Sequence, residues 1–224
     1  FFMKLVIADR CGGVVDQVYS DVDGYGGASL LLATYLFAFQ IYCDFSGYTD
    51  IALGAARVMG FDLMVNFRTP YRSTSISEFW SRWHISLSSW FRDYLYIPLG
   101  GNRVVKWRWY FNLFLVFMVS GLWHGASWTY VIWGALHGGY LVLALLCAPL
   151  WARFDALTGL DARPVLKRWI NVLVTFHLVV LAWVFFRANQ VQDAFTLYDR
   201  LFSTGWSFSD LMGLRDDLNN GMFE

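Results

Sequence analysis

The sequence predicts an all-helical integral membrane protein: a multi-pass bundle with one broken, re-entrant helix pair and one amphipathic helix at the interface. Three observations predict it. Residues 109–152 form a run of 44 without a single charge. The string SGLWHGASW, holding His124, interrupts that run with small residues. Hydrophobic residues make up 57% of the chain and charged ones 15%, far below the roughly 25% charged of soluble domains.

Each span is read from its lack of charge. Residues 24–43 are 20 uncharged residues, long enough for one crossing. The run 109–152, as one helix of 44 residues, would extend about 66 Å, twice the ~30 Å hydrocarbon core. It must fold back, and Ser120, Gly121, Gly125 and Ala126 are expected to mark where. That puts His124 below the membrane surface. Residues 169–186 give a further span, and residues 1–8 the tail of an earlier one.

The loops sort by sign. Residues 57–108 carry eight Lys/Arg and three acids, and residues 151–168 carry four and two. The positive-inside bias makes these cytoplasmic, and places the acidic 16–23 segment and the tail after Arg187 outside. Within the first of these loops, apolar residues recur at 76, 79, 80, 83, 87, 90, 91 and 94, a helical period. Ser75 and Glu78 supply a capping-box pattern, and Pro98 with Gly100 and Gly101 end the element. A helix this amphipathic lies in the interface.

No repeat, linker or low-complexity tract divides the chain, so residues 1–224 are read as one partial domain. The opening Phe-Phe-Met-Lys has neither an initiator methionine nor a signal-peptide pattern, and further spans are expected to precede it. Three cysteines, Cys11, Cys43 and Cys147, form no disulfide framework, and no metal-ligand spacing is present.

Four histidines are the chemical candidates. An ionisable group at membrane depth is costly and usually functional, so His124 is either a general base or a buried staple between helices. Both readings stay open on spacing alone. His84 sits at the edge of the amphipathic stripe beside Trp80 and Leu87, where an interfacial hydrogen bond is the simpler reading. His137 and His177 are expected to bond helix to helix. Asp44 and Asp50 are expected to pair with Arg57, Arg68 or Arg72, and the tail's acids to form a solvated surface. Arg103, Lys106 and Arg108 are most simply a topology anchor against anionic lipid head groups, and their juxtamembrane position makes a nucleic-acid role remote. There is no G-x-S-x-G elbow and no P-loop. A transferase, a transporter and a proton-conducting subunit all remain compatible.

Three strings carry a resemblance: YCDFSGYTDIALGAARVMGF (42–61), FWSRWHISLSSWFRDYLYIPLGGNR (79–103) and SGLWHGASWTYVIWGALHG (120–138). Together they resemble the membrane-bound O-acyltransferases, in the bacterial branch similar to alginate O-acetyltransferase. The relative that D-alanylates teichoic acid shares the histidines, but YIPLGGNR and WHGASW look more like the polysaccharide-acetylating side. The resemblance implies that His124 matches the family's catalytic histidine and His84 its second polar position. It implies a ring of helices around a deep funnel, for which Trp80, Trp83, Trp123 and Trp128 are candidate wall residues, with ordinary interfacial aromatics as the equal alternative. It implies an acyl donor, acetyl-CoA or an acyl carrier, with no bound cofactor or metal. The acceptor would be a polysaccharide at the bacterial inner membrane, with periplasmic acetylation proteins as partners.

Overall fold

The computed structural model describes residues 1–204 and 206–221. Every regular element among them is helical. A π-helical turn, Phe2–Ala8, leads into α1 (Asp9–Ser20), followed by α2 (Gly27–Val58), α3 (Ile76–Arg82), α4 (Ile85–Phe91) and α5 (Lys106–His124). Then come α6 (Trp128–Thr158), α7 (Pro164–Arg187), α8 (Val191–Ser203) and α9 (Phe208–Gly221). Among these, α2, α6 and α7 are long and apolar enough to cross a membrane. The chain forms two compact units: Phe1–Leu63 with the chain from Trp183 onward, and Met64–Ala182.

In the first unit, the continuous helix through α1 runs antiparallel to α2. Tyr19 meets Thr34 at one end, and Lys4 meets Asp44 at the other. Val15, Val18, Leu30, Ala33, Trp183 and Leu197 are buried between the elements. Asp44 was expected to pair with one of three arginines further along the chain. Its partner is Lys4 instead, because antiparallel packing brings a residue 40 positions away alongside it.

The tail's acids are not uniformly a solvated surface. Asp210, at the start of α9, reaches the N-terminus of α2. It accepts from the Gly26 N–H at 3.0 Å, the Ser29 N–H at 2.9 Å and the Ser29 hydroxyl at 2.9 Å. The first turn of any helix leaves backbone donors without intrahelical partners. Here they are satisfied by a carboxylate from the far end of the chain, with its charge favourably placed at the positive end of the helix dipole. Replacing Asp210 by alanine is expected to cost about 0.5–2 kcal/mol, the range for a lost cap. A lowered midpoint of thermal unfolding in detergent, without change in Asp216→Ala, checks this.

The second unit is built on the α5–α6 hairpin. Small residues decide how close the helices come. A Cβ on Gly121 would lie 2.3 Å from the Tyr130 carbonyl oxygen, and one on Gly134 would lie 2.3 Å from that of Phe117. One on Gly138 would reach the Phe114 Cα at 3.0 Å. The order of these pairs shows the helices to be antiparallel, and Gly134 and Gly138 give the small-xxx-small spacing of close membrane-helix contacts. The chain does fold back near His124, but at residues 125–127. Ser120 and Gly121, expected at the bend, lie buried inside α5, with Gly121 against the Tyr130 carbonyl of α6. Gly125 closes α5, and the Ser127 hydroxyl caps α6 by accepting from the Thr129 N–H at 3.3 Å.

Candidate active site

The histidine of RWHIS occupies a break. Periodicity predicts one helix over 76–94, whereas the structure holds α3, an extended Trp83, and His84 at φ 44°, ψ 54° before α4 begins. A side chain in the left-handed region costs roughly 1–2 kcal/mol, so something must hold it there. The holder is the loop at 66–69. The Arg68 N–H donates to the Arg82 carbonyl at 3.0 Å, and the Ile85 N–H to the Asn66 carbonyl at 3.1 Å. Asn66 Oδ1 accepts from both the Ser86 N–H, 3.0 Å, and the Ser86 hydroxyl, 2.6 Å.

This arrangement also bears on the His84 tautomer. Ser86 has one hydroxyl proton and gives it to Asn66, so at 3.4 Å from His84 Nδ1 its oxygen is the acceptor. The Nδ1 proton then points at Ser86, which makes Nε2 the acceptor nitrogen of the ring. Burial pushes this imidazole down to about 4, so it is neutral at pH 7. Replacing Asn66 by alanine removes the acceptor and the α4 cap together, an expected loss of about 1 kcal/mol. Asn66→Asp, which keeps the acceptor, should retain most of the stability, as read by thermal unfolding.

His124 is the last residue of α5 and is half-buried. Its ring lies edge-on to Trp123 at 4.9 Å and to Trp133 at 5.1 Å, with Tyr130 at 6.3 Å. Trp123 also stands 6.5 Å from the His84 ring. One indole thus meets two imidazoles that are 40 residues apart in the chain. Trp133, 1% exposed, was not singled out from sequence. Its signal was legible: 130, 133 and 137 share one face of α6.

The other expected site residues divide. Trp80 packs on Trp133 at 5.7 Å and on Phe117 at 5.1 Å. It also lines a cleft of about 270 Å³ with Leu87, Phe91, Arg92, Phe117 and Ser120. Trp123 is 57% exposed beside the histidines. Trp83 is buried, stacked on Phe79 at 5.5 Å and edge-on to Phe67 at 5.0 Å. His137 is fully buried and bonds between helices, accepting from the Trp80 indole N–H at 3.2 Å. His177 donates to the Leu173 carbonyl, one turn back in its own helix, at 2.7 Å. Glu78 departs from the capping box: Ser75 caps the Glu78 N–H, but the carboxylate turns to the Thr74 N–H and hydroxyl. Those two bonds hold its carboxyl below the usual range.

The sequence model of the membrane-bound O-acyltransferase family matches residues 19–188, which include α2 and the whole histidine site. The chain belongs to the membrane-bound O-acyltransferase family. Family members use an acyl donor, and the resemblance carried by the three motif strings is thereby established. The chain is 44% identical over 212 residues to a probable alginate O-acetylase of Pseudomonas aeruginosa, covering 94% of this chain and 38% of that protein. It is 40% identical over 193 residues to a peptidoglycan O-acetyltransferase of Helicobacter pylori, covering 86% and 35%. A teichoic acid D-alanyltransferase of Streptococcus thermophilus is 33% identical over 210 residues, covering 83% and 49%. The chain therefore spans about two fifths of the length of the alginate-acetylase relatives it matches.

Proposed function

We propose that this chain carries the acyl-transfer centre of a bacterial inner-membrane O-acetyltransferase, which moves an acetyl group onto hydroxyls of an exported polysaccharide such as alginate. The observation that carries the reading is the pairing of His124 and His84 at one indole, Trp123, in a chain of this family. In the proposed reaction, His124 takes the proton of the acceptor hydroxyl as its oxygen attacks the acyl carbonyl carbon. The bond from that carbon to the donor's leaving group then breaks, and the departing group takes the proton back from His124. His84, with Nε2 as a lone-pair acceptor, orients a hydroxyl or amide of the substrates. Trp123 and Trp80 exclude water that would otherwise hydrolyse the donor.

The membrane places these parts. Residues 109–124 of α5 are 16 uncharged residues, about 24 Å of helix and shorter than the ~30 Å hydrocarbon core. In this reading α5 and α6 form a re-entrant pair with His124 below the surface, and α3–α4 lies in the interface. The cleft beside Trp80 is apolar with Arg92 at its wall, which suits the extended arm of a thioester donor such as acetyl-CoA or an acyl carrier. Membrane lipids surround the bundle. Periplasmic acetylation proteins would act with the acceptor outside.

The test is the mass of cell-surface polysaccharide from cells with and without the complete gene. Loss of acetyl mass per sugar is expected. The 33% identity to a D-alanyltransferase favours one second reading, D-alanyl transfer, which a change in D-alanine instead of acetyl would establish. Net uptake of a solute with no covalent acyl product would replace both with a transporter.

A further inference from the structure

We infer that His137 is a positioning residue for the histidine centre: it holds Trp80 and Trp133 in one arrangement and, through Trp133, sets the His124 imidazole. The inference rests on the catalytic reading of His124. His137 lies on α6, fully buried, in the segment Gly134–Gly138 where the α5 and α6 backbones touch. A buried imidazole there is costly unless its polar atoms have work, and one is known: Nδ1 accepts from the Trp80 indole of α3 at 3.2 Å. As Nδ1 is the acceptor, the ring proton is on Nε2.

The contacts form a chain. The His137 ring meets Trp80 at 5.0 Å and Trp133 at 5.2 Å, both edge-on, and Trp133 meets His124 edge-on at 5.1 Å. Apolar ring contacts alone tolerate sliding, because dispersion has no preferred direction. A hydrogen bond does have one, and this bond locks the Trp80 rotamer. Trp80 and His137 together leave Trp133 one seat, and Trp133 is the floor on which His124 rests. Displacement of a catalytic group by about 1 Å can cost about 100-fold in rate.

The experiment uses the complete gene product in cells, with acetyl groups per sugar measured by mass at matched membrane abundance. His137→Phe keeps the ring but removes the acceptor, and should lower acetylation by about 10-fold or more. His137→Asn, whose Oδ1 replaces the Nδ1 acceptor, should restore most of it. Trp80→Phe should match His137→Phe, and the double variant should be no worse than either, since both remove the same bond. A purely structural staple would lower protein abundance and leave acetylation per molecule unchanged. Acetylation of His137→Phe at the normal level per molecule overturns the inference, as does a double variant with the product of the two single losses. If His137→Phe does not reach the membrane, His137→Gln decides by the same measure: loss of acetylation per molecule supports the inference, and the normal level overturns it. Loss of transfer in His124→Ala with none in His137→Phe sinks this inference only, whereas full transfer in His124→Ala sinks the catalytic reading itself.

Discussion

Replacing His124 by alanine in the complete gene product should leave a folded, inserted protein whose acyl transfer falls by about 10²–10⁴-fold, the contribution of one positioned proton-transfer group. The fold should tolerate the change because His124 is the last residue of α5 and only half-buried. The turn of the hairpin is closed by Gly125 and by the Ser127 cap of α6, which the change leaves in place. The ring contacts with Trp123, Trp133 and Tyr130 are among those lost. Glutamine at the same position should be as inactive as alanine, since an amide cannot take a proton near pH 7. Measured together, membrane abundance and acetyl content separate the outcomes. Normal abundance with acetyl content lost supports a catalytic base. Normal acetyl content would make the histidine structural.

The second large effect is expected at Gly134. Alanine there would put a methyl carbon 2.3 Å from the Phe117 carbonyl oxygen, a backbone atom that no rotamer change can move. The two helices must separate. Overpacking of this kind costs about 1–3 kcal/mol. The separation also reaches the site, because Trp133 precedes Gly134 and carries the packing of His124. Thermal stability in detergent and acetyl transfer should therefore fall together. Gly139 is the control, five residues further along α6. A Cβ there meets nothing within 4 Å, so Gly139→Ala should be neutral or gain up to about 1 kcal/mol of helix propensity. If Gly134→Ala unfolds at the same temperature as Gly139→Ala, the close crossing is not what holds the hairpin.

The hairpin around them was legible in part. The 44-residue uncharged run had to fold back, since hydrocarbon thickness bounds helix length, and WHGASW marked the place to within a few residues. Gly121 is a helix contact and not part of the bend, for a physical reason. A glycine in an apolar run is equally suited to a bend and to a close helix crossing, and only the partner distinguishes them. That partner, the Tyr130 carbonyl, is on the other helix.

The break at His84 was hidden by a continuous helical period, because the apolar spacing runs through both halves although Trp90 and Tyr94 of the second are exposed. What opens it is Asn66, 20 residues earlier, which supplies Ser86 with two hydrogen bonds that an unbroken helix would not need. Asp44 and Asp210 follow the same pattern. Asp44 lies in the middle of α2 and Asp210 among the acids of the tail, and each found a partner that sequence distance conceals.

The sequence alone determined the membrane class, the helical content and the hairpin, because hydropathy, charge sign and motif spacing are local or additive along the chain. Tertiary structure decided which aromatic ring faces which histidine, which tautomer His84 adopts and which glycines are contacts. Those depend on angles and distances between segments, to which a 3 Å hydrogen bond is sensitive and a composition is not.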